Sequence, residues 1–225
     1  MGDITTLLAA IPTAFAALLP VINPLGTAII LLGLTSQADD AMHTTIARGV
    51  AVNAVILLLI VLVAGRLFLK LFGISVPIVQ LAGGMVLAGM GWTMLFQPDA
   101  SAEAKAHDSP TGDHGDYASS IFYPFTFPLT IGPGSIAVAL TLSAHTSREH
   151  LLETAMSQVG AAVGIIAVAF VTYLCLANAA RIARRLGPGG LSVLMRLSAF
   201  VVVCLGAEIA WSGLGKLVPS LGAGG

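Results

Sequence analysis

The sequence predicts an all-α membrane protein of six transmembrane helices, built as two inverted three-helix repeats whose first and fourth helices are broken. Three observations carry this expectation. Charged residues make up 9% of the 225 and hydrophobic residues 56%, against roughly 25% charged in a soluble domain, and the mean hydropathy is +0.94. Six apolar segments, at about 7–34, 46–65, 77–96, 121–143, 155–178 and 197–215, each approach or exceed the roughly 20 residues that cross about 30 Å of hydrocarbon. The first and fourth are interrupted by Asn23-Pro24-Leu25-Gly26 and Gly132-Pro133-Gly134-Ser135.

The first segment, at about 28 residues, would be roughly 42 Å long as one straight helix, so a break near residue 24 resolves its excess length. Pro24 lacks an amide proton and clashes with the preceding turn, while Gly26 tolerates the backbone angles of a restart. Residues 1 to 6 contain Asp3 and neither Lys nor Arg, so the segment reads as a retained helix and not a signal peptide. In the third segment Gly84 and Ala88 sit four apart beside Gly83, Gly89 and Gly91, the small-residue pattern that lets helices approach in lipid. Trp92 near its end, like Trp211 near the end of the sixth, suits the membrane interface.

Residues 97–120 form a hydrophilic linker rich in Asp, with His107 and His114. His107, Asp108, Asp113 and His114 have the chemistry of a metal site, but a solvated loop has the same composition without fixed geometry. The linker divides a first repeat, 1–96, from a second, 121–225, within one membrane domain. Pro20, Pro24 and Gly26-Thr27 in the first repeat echo Pro128, Pro133 and Gly134-Ser135 in the second, with one extra residue between the second pair of prolines. Three crossings is an odd number, so a duplicated half must insert upside down. The fifth segment carries a GxxxG pair, Gly160 and Gly164. Cys175 and Cys204, in the fifth and sixth segments, match no metal-ligand spacing and read as buried small hydrophobes.

The densest basic group is Arg181, Arg184 and Arg185, between the fifth and sixth segments. The excess of basic residues on cytoplasmic loops places it inside and both termini outside. A net charge of -1 and the lack of any basic stripe exclude a nucleic-acid partner. The implied partners are a small-molecule solute and membrane lipids, and the sequence does not give an oligomeric state.

A helix broken inside hydrocarbon leaves amides and carbonyls that only protein, water or a bound solute can satisfy. Two such breaks in corresponding places point to a solute site. Each half-helix that restarts offers backbone amides and a partial positive charge, the feature that captures a carboxylate. The candidate binding residues are therefore Asn23, Pro24, Gly26 and Thr27 at the first break and Thr130, Gly132, Pro133, Gly134 and Ser135 at the second. No Lys or Arg lies beside either break, which favours a neutral or zwitterionic solute. Glu208, flanked by apolar residues in the sixth segment, is the candidate for coupling to H+ or Na+. The alternative for it is a carboxylate that reaches water or Lys216. No cofactor is implied.

Several of these stretches together resemble one family. Leu19-Pro20-Val21-Ile22-Asn23-Pro24-Leu25-Gly26, Gly73-Ile74-Ser75-Val76-Pro77 leading into Ala82-Gly83-Gly84, Met94-Leu95-Phe96, and Pro128 followed by Gly132-Pro133-Gly134-Ser135-Ile136-Ala137 are similar to the MarC family of bacterial inner-membrane proteins. The resemblance implies a multi-pass inner-membrane protein with six helices, related to transporters of small neutral amino acids such as alanine and glycine. It places the family's Asn-Pro break on Asn23 and Pro24 and its Gly-Pro-Gly break on Gly132, Pro133 and Gly134. A basic residue that family members often carry before the Ala-Gly-Gly stretch is replaced here by Gln80, and a neutral polar residue of the sixth helix by Glu208.

Two other classes compete. An intramembrane hydrolase would need a base within reach of Ser135, and the five histidines, His43, His107, His114, His145 and His150, all fall in loop sequence. A channel is the stronger rival, although the sequence shows neither a ring of charges nor a filter-like repeat. An accessory membrane protein without transport activity is a further alternative.

Overall fold

The computed structural model describes residues 2–35, 38–96, 117–144 and 151–218, and among the described residues every regular element is helical. In chain order these are α1 (Gly2–Ile22), α2 (Pro24–Leu34), α3 (Asp40–Leu71), α4 (Val76–Phe96), a single turn α5 (Tyr117–Ser120), α6 (Ile121–Thr130, wound in wide π-type turns), α7 (Pro133–Ala144), α8 (Leu151–Ala177) and α9 (Ala179–Leu217). The expected linker is shorter than 97–120, because residues 117–120 are already helical. Its His107, Asp108, Asp113 and His114 lie outside the described residues, as do His145 and His150. Among the described residues no three His, Cys, Asp or Glu side chains cluster as metal ligands would.

Local chemistry sets the helix ends. Asp39 caps α3 by accepting a 2.7 Å bond from the Met42 amide, satisfying a donor that has no partner within the helix. Gly73, at φ +67°, turns the chain after α3 in the left-handed conformation that glycine adopts without strain. Gly187, at φ 62°, bends α9 and separates its arginine-bearing start from the apolar span Ser192–Leu217.

Five stretches are long and apolar enough to cross a bilayer. The bent pair Ile121–Thr130 and Pro133–Ser143 is either a sixth crossing or a re-entrant loop. Chain direction decides between them. Gly160 of α8 abuts Leu7 and Ala10 of α1, and Gly164 abuts Ile11 and Ala14, so α1 and α8 run the same way. Gly84 of α4 abuts Gly206 and Ala210 of α9, whereas Gly91 abuts Ala199 and Val203, so α4 and α9 run oppositely. Both relations require the α6–α7 pair to cross the membrane, and the count is six.

The α4–α9 contact is reciprocal. A Cβ on Gly84 would stand 2.6 Å from the Gly206 carbonyl oxygen, and a Cβ on Gly206 would stand 2.7 Å from that of Gly84. Gly91 meets Ala199 and Val203 just as Gly213 meets Pro77 and Leu81, and equivalent residues on the two helices differ by 122 throughout (84 and 206, 91 and 213). Backbone thus touches backbone along the crossing. That contact replaces the hydrophobic driving force which helices in lipid lack.

The buried apolar side chains form two clusters. One gathers Leu18 and Ile22 of α1, Leu58 of α3, Leu87 of α4, Val138 of α7 and Ile165 of α8. The other gathers Ala28 and Leu31 of α2, Val50 of α3, Phe125 of α6 and Leu176 of α8.

Candidate functional site

Four of the paths that run through both clusters change from one to the other at a polar residue. Along α1 and α2 the change falls between Ile22 and Ala28, at Asn23 and Thr27. From α6 to Ile131 it falls after Phe125, at Thr126 and Thr130. Along α3 it falls between Val50 and Ala54, at Asn53, and along α8 between Val168 and Leu176, at Thr172. A polar layer therefore separates two apolar layers, and both breaks lie in it. Asn23, Thr27, Thr126, Thr130, Ser135 and Thr172 are all buried.

At the first break Asn23 adopts the left-handed conformation, φ 46° and ψ 64°, which asparagine tolerates better than other side-chain-bearing residues. Its Oδ1 accepts from the Gly26 amide at 3.3 Å, and Pro24 is the first residue of the restarted helix, where a missing N–H costs nothing. Gly26 has to be bare, because a Cβ there would collide with the Asn23 amide group and stand 2.9 Å from the Met195 sulfur of α9. Thr27 returns its hydroxyl to the Ile22 carbonyl at 3.0 Å. This break largely satisfies itself. Of the first-turn amides of α2, Pro24 has none and Gly26 is capped, which leaves Leu25.

The second break is made differently. Pro124 and Pro128 lie inside α6, each preceded by a cis peptide, and Tyr123 and Phe127 take extended angles. Proline removes ladder donors and leaves carbonyls to be satisfied otherwise. Thr126 donates to the Ile121 carbonyl and Thr130 to the Phe125 carbonyl, both at 2.7 Å, each reaching back five residues as Thr27 does. The chain then bends by 72° into α7. Gly132 has no side chain with which to cap the Gly134 and Ser135 amides, so this end keeps what the first end has used.

The breaks are neighbours. A Cβ on Gly134 would stand 2.5 Å from Leu87 and 3.4 Å from Val21, two residues before Asn23. The half-helices also cross: α1 packs on α7, and α2 on α6. Of the residues expected to bind, Asn23, Pro24, Gly26, Thr27, Thr130, Gly132, Gly134 and Ser135 are buried around this meeting point, whereas Pro133 is exposed. An open cavity lined by Lys70, Gly73 and Ser75 belongs to the α3–α4 turn and not to the breaks.

Glu208 is not part of this group. It lies on the exposed outer face of α9. Lys216, which the alternative reading offered beside water as its partner, donates to Oε1 of the buried Gln80 at 3.1 Å, bringing an ammonium to the start of the Ala82-Gly83-Gly84 stretch. Cys204, expected to be buried, is exposed on the same face of α9. Sequence reasoning missed Thr126, Asn53 and Thr172. For Thr126 the signal was present, since Tyr123-Pro124-Phe125-Thr126 and Phe127-Pro128-Leu129-Thr130 repeat one aromatic-Pro-apolar-Thr unit.

Comparison with known proteins bears on identity. The model of the family described as "MarC family integral membrane protein" matches residues 8–218. The chain is 30% identical over 212 residues to the protein named "UPF0056 inner membrane protein MarC" of Salmonella typhimurium, covering 93% of this chain and 96% of the relative. It is 29% identical, with the same coverage, to the protein of that name from Escherichia coli O139:H28. No solved structure matches it. With six apolar crossings and a family match along nearly its whole length, the chain belongs to the MarC family of integral membrane proteins.

Proposed function

We propose that this protein is a secondary transporter of small neutral amino acids, alanine-like or glycine-like, or of similar small zwitterions, working by alternating access in the bacterial inner membrane. The single observation behind this reading is the meeting of two broken helices within a buried polar layer, where Gly134 lies against Val21. Broken helices near mid-membrane place free backbone groups where a solute can replace water. The inner membrane is taken from the names of the relatives, and the basic Arg181, Arg184 and Arg185 put both termini outside.

The difference between the breaks assigns the ends of the solute. The first turn of α2 is capped by Asn23, so a carboxylate is better received by the Gly134 and Ser135 amides at the start of α7, where the helix dipole adds to the attraction. Oδ1 of Asn23 and the hydroxyl oxygens of Thr27 and Thr130 supply neutral acceptors for the ammonium side. Movement in this reading is a rocking of two inverted three-helix halves. The α4–α9 crossing supports it, because its reciprocal glycine contacts are those that halves related by a two-fold axis would make.

The test is counterflow of labelled alanine and glycine in proteoliposomes, with proton and sodium gradients imposed separately. Saturable exchange is expected, and its response to each gradient names the coupling ion. Absence of saturable exchange for every neutral amino acid rejects the proposal, and unsaturable conductance would favour a channel.

A further inference from the structure

The start of α7 is walled by apolar side chains of α4 and α1. Three contacts run up α4 and down the second break: Gly83 abuts Ala137, Leu87 abuts Gly134, and the Met90 methyl lies 3.7 Å from where a Gly132 Cβ would stand. The two helices are therefore antiparallel neighbours, drawn together where the bare Gly83 meets Ala137. Beyond the first turn of α7, the side chains that α4 brings alongside are Leu87 and Met90. Leu87 is 1% exposed and Met90 41%, so Leu87 forms the inner wall while Met90 reaches the outside of the fold. Val21 of α1 closes on the same point, 3.4 Å from the place a Gly134 Cβ would take.

Resting on the transport reading above, we propose that Leu87 sets the size limit of the solute, admitting glycine and alanine and refusing a side chain of valine size or larger. The placement follows from the three groups an amino acid carries on its α-carbon. Its carboxylate is received by the Gly134 and Ser135 amides, at about 2.9 Å from nitrogen to oxygen, and the α-carbon lies two bonds further on. Its ammonium is directed to Asn23, Thr27 and Thr130, which leaves the α4 side for the side chain. There the isobutyl group of Leu87 offers no hydrogen bond and acts by the volume it fills. A close-packed interior responds to a change of one methylene, and an apolar pocket discriminates between solutes differing by one methylene by roughly 10- to 200-fold.

The test is counterflow in proteoliposomes with labelled glycine, alanine, valine and leucine, comparing Vmax/KM. Wild type is expected to exchange glycine and alanine and to refuse valine and leucine. Leu87→Ala should raise the valine-to-alanine ratio by about tenfold or more, and the milder Leu87→Val should raise it by less. Glycine has no side chain to meet the wall, so its KM should stay within about threefold in both variants. Leu58→Ala truncates a buried leucine of α3 in the same apolar cluster and should leave the ratio unchanged. A wild type that exchanges valine as readily as alanine overturns the proposal. So does a ratio unmoved in both Leu87 variants, or a loss that falls equally on glycine, alanine and valine in both, which would give Leu87 a structural role alone. These results leave transport by the wild type standing, whereas a wild type that exchanges no neutral amino acid rejects the transport reading and the size limit together.

Discussion

The two breaks perform the same interruption with different chemistry. At the first, a single left-handed asparagine carries the change of direction and caps the helix that follows, and the whole of Thr5–Leu34 still qualifies as one 30-residue span. At the second, two prolines widen the turns of α6, two threonine hydroxyls take up carbonyls, and the chain bends by 72°. A side chain able to mimic the backbone lets a helix be interrupted at one residue and still continue as one span. Where glycine takes that place, the bend is larger and the next helix begins with amides that its own chain does not cap. One break caps its own restart, and the other leaves the Gly134 and Ser135 amides without a side-chain cap from Gly132.

The comparison can be broken most strongly at Gly134. A valine there would drive into Leu87 and Val21, and overpacking of this kind costs about 1–3 kcal/mol. Gly134→Val should therefore reduce amino acid counterflow by about tenfold or more. Gly132→Ala, whose Cβ would meet nothing closer than the Pro128 carbonyl oxygen at 3.5 Å, should stay within about twofold in the same assay. Equal losses for both would mean that α7 is not pressed into the meeting point.

Next comes Asn23. Asn23→Ala loses the cap, worth about 0.5–2 kcal/mol, and places alanine in the left-handed region, at about 1 kcal/mol more. Asn23→Gly loses the cap but keeps the conformation. Thermal unfolding of the purified protein in detergent should rank wild type above Asn23→Gly above Asn23→Ala. Coincident curves for the two variants would remove the left-handed strain from the account.

A smaller effect is expected at the hydroxyl repairs. Thr130→Val leaves the Phe125 carbonyl without its 2.7 Å donor, a loss of about 1–3 kcal/mol when the group is buried. Thr130→Ser keeps the donor and should recover most of the stability. Pro133→Ala should change least, because Pro133 is exposed and already at the first position of α7, where proline is tolerated and not required. A large loss of counterflow there would move the site to the outer side of the break.

Much of this could be read from residue types. Proline and glycine within apolar runs locate the breaks, because an amide missing from a helix in lipid has consequences wherever the chain goes. The segment limits held to within a few residues at several ends, although α3 and α9 extend well beyond the apolar cores expected for them. The outward turn of Glu208 and Cys204 was not legible. Both lie in an apolar stretch with no marked amphipathic stripe to tell inner from outer, and lipid makes either face acceptable to Leu, Val and Phe. Asn53 and Thr172 escaped for the related reason that one polar residue in a long helix gains meaning only from what lies level with it on other helices.

The sequence by itself determined that this chain enters a membrane, where its helices lie and where two of them stop and restart, because hydropathy and the missing proline amide act locally. Tertiary structure decided that the breaks meet, that α6 and α7 cross the bilayer together, and that polar residues from α1–α2, α3, α6 and α8 fall between the two apolar clusters. Those are relations between distant segments, fixed by which small residues let which backbones touch.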